Sequence, residues 1–273
     1  MKPKWGIVTD EVLPQAADAV ARVAGWNLAG VEIRGVAPGR RIPDIDPDEV
    51  RALQDALARA SLSVTALSPG TWKCSLDAPV ASLQAARFQR TLDLAEAWGV
   101  TRVITFGVKR KESDTAADYD RVCALLGQMS LEAGRRGITL CVENEKGWWA
   151  DTDEAIDRLL TDLAPAGLRL NWDAANYADA GGTDPVAAYR RWQNQIANIH
   201  LKDVCLDPGG HRWCLLGQGD VGWETLLPVM LASPARTPMS IETHCAPLPD
   251  NSLLNRKWLQ TFEITPQGGN RHG

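Results

Sequence analysis

The feature that most constrains this chain is an unbroken alternation of short apolar segments with amphipathic stretches, eight of each in 273 residues. The short segments are Trp5 to Val8, Gly30 to Ile33, Leu62 to Leu67, Thr101 to Phe106, Ile138 to Glu143, Gly167 to Asp173, Ile196 to Leu201 and Met239 to Glu242. They are strand length, and Ser68-Pro69-Gly70 is expected to end the third. Between them lie helical periods. Leu13 to Trp26 is the first, Asp46-Pro47 opens the second, and Pro79 to Trp98 is closed by Gly99. Further helices are expected from Thr115 or Ala116 to Arg136, from a cap at Asp151 or Thr152 to Leu163, and from Asp184-Pro185 to Trp192. Trp223 to Leu231 and Leu253 to Phe262 complete the set. Eight strand-helix units with no spare segment predict an α/β protein, an eight-stranded parallel (β/α)8 barrel forming one domain over residues 1–265, with 266–273 a disordered tail. The longer links follow strands 2, 3, 7 and 8, on the carboxyl face where barrel active sites lie.

Four strands share a pattern at that face. Thr139, Cys141 and Glu143 alternate with Leu140 and Val142; Arg169, Asn171 and Asp173 alternate with Leu168, Leu170 and Trp172. Ile196, Asn198, His200 and Lys202 alternate with Ala197, Ile199 and Leu201, and Ser240, Glu242 and His244 with Met239, Ile241 and Thr243. Adjacent parallel strands in a closed barrel would point Glu143, Asp173, His200 and Glu242 at one another around the rim. Any one of them alone reads as an ordinary polar strand terminus. On four consecutive strands they read as a site for one divalent metal, with Mn, Co, Zn, Fe or Mg all suited to mixed carboxylate and imidazole ligation.

No apolar run approaches the roughly 20 residues of a membrane span, and Trp5 to Val8 is too short for a signal peptide core, so a cytoplasmic protein is expected. The formal net charge of −5 without a basic cluster argues against nucleic-acid binding. Six cysteines without paired spacing read as free thiols.

The stretches Val142-Glu143-Asn144-Glu145, Asn171-Trp172-Asp173-Ala174-Ala175-Asn176, Ile199-His200-Leu201-Lys202-Asp203 and Ile241-Glu242-Thr243-His244 resemble the xylose isomerase-like TIM barrel family. Thr9-Asp10-Glu11, Val31-Glu32-Ile33-Arg34 and Ser68-Pro69-Gly70-Thr71-Trp72-Lys73 are similar to a poorly characterised branch of it. The resemblance implies that Glu143, Asp173, His200 and Glu242 bind one metal, and that both glutamates act as acid and base. Two positions depart from many epimerases of the family: Asn176 stands where they have histidine, and Leu206 where they have arginine.

A second tier of candidates is expected to touch substrate or orient ligands: Lys202, Glu145, Asn176, Lys73, Arg34 and His244, against the plainer readings of rim salt bridges for Glu145 and Lys202 and a rim histidine for His244. Glu32 and Arg34 face the lumen by parity, as an internal ion pair or a substrate contact. Trp72, Trp148, Trp149, Trp172 and Trp213 on or near carboxyl-end links offer aromatic walls to a sugar ring, against the plainer role of core packing. Gly217-Gln218-Gly219 reads as a turn rather than a phosphate cradle.

The expected activity is a metal-dependent isomerase or epimerase acting on a keto-sugar or related polyhydroxy ketone by enediolate proton transfer. The close alternative is a lyase or dehydratase eliminating a beta substituent from a keto-sugar. More distant are a non-catalytic sugar-binding subunit and an abasic-site endonuclease, which needs more metals and histidines than this rim provides. The partner is a small-molecule sugar, with neither nucleic acid nor membrane, and a homo-oligomer is compatible with the chain.

Overall fold

The computed structural model describes residues 5–235 and 237–263, so the expected tail lies outside the described residues. Eight parallel strands close into a barrel: β1 (Trp5–Val8), β2 (Gly30–Ile33), β3 (Ser63–Thr71), β4 (Arg102–Phe106), β5 (Thr139–Glu143), β6 (Arg169–Asp173), β7 (Ile196–Leu201) and β8 (Met239–Ile241). Each pairs with its sequence neighbours, and β1 pairs with β8 through Trp5↔Met239, Gly6↔Ser240 and Ile7↔Ile241 to complete the ring. Leu140, Leu170, Ile199 and Ile241 point outward and are wholly buried under the helices. Burial of such a side chain contributes roughly 1.5–3 kcal/mol, so this outer layer carries most of the hydrophobic stabilisation.

The surrounding helices start where capping chemistry dictates. Asp46 accepts from the Glu49 backbone N–H while Glu49 reaches back to the Asp46 N–H, and Pro47 occupies the first turn of Pro47–Ala60. Thr152 caps Asp153–Asp162 and Asp184 caps Pro185–Trp192. Gly99, at φ +66°, terminates Ala81–Trp98.

Several sequence-based expectations are corrected. β3 runs through Ser68-Pro69-Gly70 to Thr71, because pairing with β4 resumes after a register shift at Thr71↔Thr105, where the two hydroxyls lie 3.0 Å apart. The first helix is shorter, Ala16–Val23, and the last begins earlier, Leu248–Gln260. The eight units also leave spare segments after all. A short helix, Ala174–Asp179, follows β6, and two antiparallel hairpins, Gly35–Ala37 with Arg40–Arg41 and Asp203–Asp207 with Gly210–Cys214, extend the carboxyl face. Strict alternation along β7 also fails at its start. The register against β6 shifts between Leu170 and Asn171, which turns Ile196 into the outer core and lets Ala197 pack inward against Ala66, Ile104 and Cys141.

The hairpin after β7 is anchored by one buried side chain. Asp203 accepts hydrogen bonds from the backbone N–H groups of Val204, Gly217, Gly219 and Val221, at 2.9, 2.9, 3.1 and 3.3 Å. Gly219 has no room for a Cβ, which would lie 2.3 Å from Asp203 Oδ1. The Gly217 and Gly219 amides are thus turned to an internal carboxylate, as a turn requires. Asp203→Ala should cost about 3 kcal/mol in chemical denaturation, since hydrogen bonds to a charged group are worth roughly 1.5–3 kcal/mol each and the orphaned amides partly rehydrate. A loss below about 1 kcal/mol would contradict this anchoring role.

No helix among the described residues is long and apolar enough to cross a membrane.

Candidate metal centre

The barrel strands deliver four side chains to one point. Glu143, Asp173 and His200 lie at or next to the ends of β5, β6 and β7, and Glu242 follows the last residue of β8. All four are buried, and one ligand atom from each lies within 4.8 Å of the others. His200 Nδ1 is 3.3 Å from Glu143 Oε1 and 3.3 Å from Glu242 Oε2. Asp173 also caps the helix that follows it, Oδ1 accepting from the Asn176 N–H at 2.7 Å, which leaves Oδ2 facing the cluster.

The far side of the histidine ring meets Glu32. His200 Nε2 lies 2.9 Å from Glu32 Oε1, and Asn198 Nδ2 donates to Glu32 Oε2 at 3.2 Å and to Asn171 Oδ1 at 2.8 Å. Glu32 therefore faces the lumen as its parity predicts, but it partners His200 rather than Arg34. A carboxylate on one ring nitrogen fixes the ring's orientation and leaves the other nitrogen to a metal. Burial alone would lower the His200 pKa, yet Glu32, Glu242 and Glu143 outweigh it and hold it well above its usual value. Glu32→Gln should weaken divalent-metal binding about 10- to 100-fold by calorimetry, because the ring loses its anionic partner; unchanged affinity would remove Glu32 from the site.

The arrangement fits a divalent ion on its own evidence. Glu32, Glu143, Asp173 and Glu242 bring four buried carboxyl groups around a single imidazole. Burying that much negative charge is unfavourable unless cations share it. Asp173 Oδ2 is a buried acceptor with no aligned donor. Lys202 Nζ comes within 2.9 Å of it, but at an angle that makes an ion contact rather than a hydrogen bond. Burial, outweighing Lys202, pushes the Asp173 pKa up. A divalent ion would supply a partner for that oxygen.

Lys202 and Arg34 also bring cationic side chains to the cluster. Lys202 Nζ touches Asp173 and donates to Glu242 Oε2 at 3.1 Å, beneath the Trp213 ring at 4.5 Å. Arg34 bridges three acids: Asp10, Glu11 and Glu242 Oε1. Burial would raise the Glu242 pKa, but Lys202, His244, His200 and Arg34 together hold it well below the usual range. Glu11, Glu242 and His244 form a second group with metal-like spacing, beyond the single cluster that the sequence suggests. Arg34 pairs with both of its glutamates, so that group is already neutralised by a guanidinium.

The remaining candidates separate into two sets. Asn176 and His244 join the centre: Asn176 Nδ2 donates to Glu143 Oε1 at 3.3 Å, and His244 Nδ1 lies 2.8 Å from Glu11 Oε1. Lys73 and Glu145 pair with each other at 3.2 Å beyond the ends of β3 and β5, Lys73 lying 4.3 Å over the Phe106 ring. Among the tryptophans, Trp213 stands at the mouth, whereas Trp172 points outward and is wholly buried against Tyr189. Trp72 is also buried in the core. Asp10 and Glu11 were legible only as part of a family-like stretch. Their role depends on a contact with Arg34 that spans 23 or more residues, which no local spacing encodes.

The family model described as xylose isomerase-like TIM barrel matches residues 20–262. Inosose dehydratase of Lacticaseibacillus casei is 29% identical over 90 residues, 33% of this chain and 30% of that protein. The uncharacterized protein YihM of Escherichia coli strain K12 is 25% identical over 224 residues, 80% of this chain and 62% of its own length. Both matches thus span less than two thirds of the relative. Among solved structures, the probable 3-DHS dehydratase AsbF of Bacillus anthracis superposes with a TM-score of 0.80 at 16% identity, covering 94% of this chain and 98% of the other. A xylose isomerase-like TIM barrel protein of Mycobacterium smegmatis, in complex with magnesium, gives 0.75 at 16% identity and 95% of each chain. D-Allulose 3-epimerase of Methylomonas sp., in complex with D-allulose, gives 0.75 at 13% identity, covering 95% and 97%. At such identities these likenesses speak for the fold, while the match of the family model over most of the chain settles membership: this protein belongs to the xylose isomerase-like TIM barrel family.

Proposed function

We propose that this protein is a divalent-metal-dependent isomerase or epimerase acting on a keto-sugar or related polyhydroxy ketone. The observation that carries the reading is one four-residue ligand set at the barrel mouth whose two glutamates, Glu143 and Glu242, come from the ends of nonadjacent strands. The metal, held by Glu143, Asp173, His200 and Glu242, would act as a Lewis acid that acidifies the C–H beside the substrate carbonyl. Glu143 takes the proton. Oε1 accepts from Asn176 Nδ2 at 3.3 Å and lies 3.3 Å from His200 Nδ1, which leaves Oε2 as the oxygen for the proton. Glu242 returns a proton from the other side, with Arg34 and Lys202 setting its position. Lys202, Asn176 and His244 offer hydrogen bonds to substrate hydroxyls, and Trp213 offers an apolar wall to the sugar ring. The D-allulose complex of a protein with the same fold agrees with this substrate class.

A second reading is elimination of a beta substituent by the same proton abstraction. It is favoured by the sequence match to inosose dehydratase. One experiment addresses both. In deuterated water with added divalent metal, a panel of ketoses, inososes and keto-glycosides should give a product of conserved formula with deuterium on the carbon beside the carbonyl. Loss of water or of a sugar would establish the lyase. Turnover with complete retention of the original hydrogen would contradict proton transfer through the glutamates.

A further inference from the structure

The hairpin Asp203–Asp207 with Gly210–Cys214 carries two of the six cysteines. In its antiparallel register Cys205 faces Arg212 and Cys214 faces Asp203, so the two cysteines are diagonal neighbours on one face. Their sulfurs lie 3.0 Å apart, about 1 Å beyond a disulfide bond length. Cys205 is partly accessible, whereas Cys214 is buried. Sequence spacing alone did not reveal the pair, because the turn Asp207-Pro208-Gly209-Gly210 has to form before residues 205 and 214 meet.

The hairpin also bears on the metal centre. Trp213, adjacent to Cys214, lies over Lys202 and edge-on to His244 at 5.9 Å. Asp203 fixes the base of the hairpin through backbone bonds, and the distal half is held by Asp220, which accepts from the Leu206 N–H at 2.7 Å, and by His211, whose Nδ1 lies 2.8 Å from Asp179 Oδ1. A covalent link between Cys205 and Cys214 would clamp the two strands just above that base and hold Trp213 in place.

We propose that Cys205 and Cys214 are an oxidant-responsive modification site, forming a reversible intramolecular disulfide that ties together the two strands of this hairpin at the barrel mouth. The oxidant is a peroxide. Its outer oxygen passes to the partly accessible Cys205 sulfur, giving a sulfenic acid and releasing the alcohol or water formed from the remainder. The Cys214 sulfur then displaces that oxygen as water, losing its own proton, and the S–S bond closes. A thiol reductant reverses the change by exchange.

The test uses the full chain treated with hydrogen peroxide, quenched in acid, alkylated and digested with trypsin under denaturing conditions. Cleavage after Lys202, Arg212 and Arg236 places the two cysteines on separate peptides, 203–212 and 213–236. The expected product is those peptides joined, lighter than their sum by two hydrogens and separated again by dithiothreitol. Cys205→Ser should abolish it. On oxidation, hydrogen exchange of hairpin amides should slow by about tenfold in the native chain and not in Cys214→Ser. Unlinked peptides carrying sulfinate at Cys205, linkage of either cysteine to another residue, or unchanged exchange in the linked protein would overturn the proposal.

Discussion

Glu143→Gln is expected to lower turnover about a thousandfold with the barrel intact, the scale set by loss of a positioned general base. Glutamine keeps the volume and an oxygen for the Asn176 Nδ2 and His200 Nδ1 contacts, so the site need not rearrange. What it loses is the other oxygen, the one left for the proton. Glu242→Gln should also impair turnover, by a different route. Both Glu242 oxygens are engaged, by Arg34 on one and by Lys202 and His200 on the other, so neutralising it disturbs two cations as well as a carboxylate. Rates measured at saturating metal separate chemistry from occupancy. Activity within tenfold of wild type in both variants would sink the two-glutamate mechanism.

The second large effect concerns Lys202, which is 3% exposed and lies between Asp173 and Glu242. Burial would lower its pKa, but Asp173, Glu242 and Glu143 hold it above the usual value, so it remains an ammonium. Removing one partner of a buried charge cluster costs about 3–5 kcal/mol, because the carboxylates left behind are desolvated and uncompensated. Lys202→Met should therefore lower the Tm of chelator-treated protein by about 10 °C for a chain of this size. A divalent ion neutralises the same carboxylates, so adding metal should recover more Tm in the variant than in wild type. Thermal scans with chelator and with metal supply the four values needed. Equal Tm of the two chelator-treated proteins would show that Lys202 does not balance the cluster.

Much of the barrel is legible in the sequence because its signals are local. Strand parity places Glu143, Asp173 and His200 at adjacent rim positions, and Asp46-Pro47, Thr152 and Gly99 mark helix ends with side-chain chemistry that acts within three or four residues. The pieces that escape are short or depend on distant partners. Ala174–Asp179 is too brief to show a helical period, and its cap is Asp173, a residue that otherwise reads only as a ligand. Both mouth hairpins are shorter than the barrel's strand–helix repeat, although Asp207-Pro208-Gly209-Gly210 is a turn signal that marks the second. The Glu32 to His200 contact joins residues 168 positions apart, so parity shows that both enter the lumen but not that they meet.

The proposed function rests on Glu143, Asp173, His200 and Glu242 holding one divalent metal. Its most direct test is elemental analysis by plasma mass spectrometry of wild type and His200→Ala, each supplemented with metal and then desalted. About one divalent ion per wild-type chain is expected, with strong depletion in a variant that stays folded, because rim residues of a barrel serve the site more than the core. Metal-free wild type after supplementation, or wild-type occupancy in His200→Ala, would contradict it.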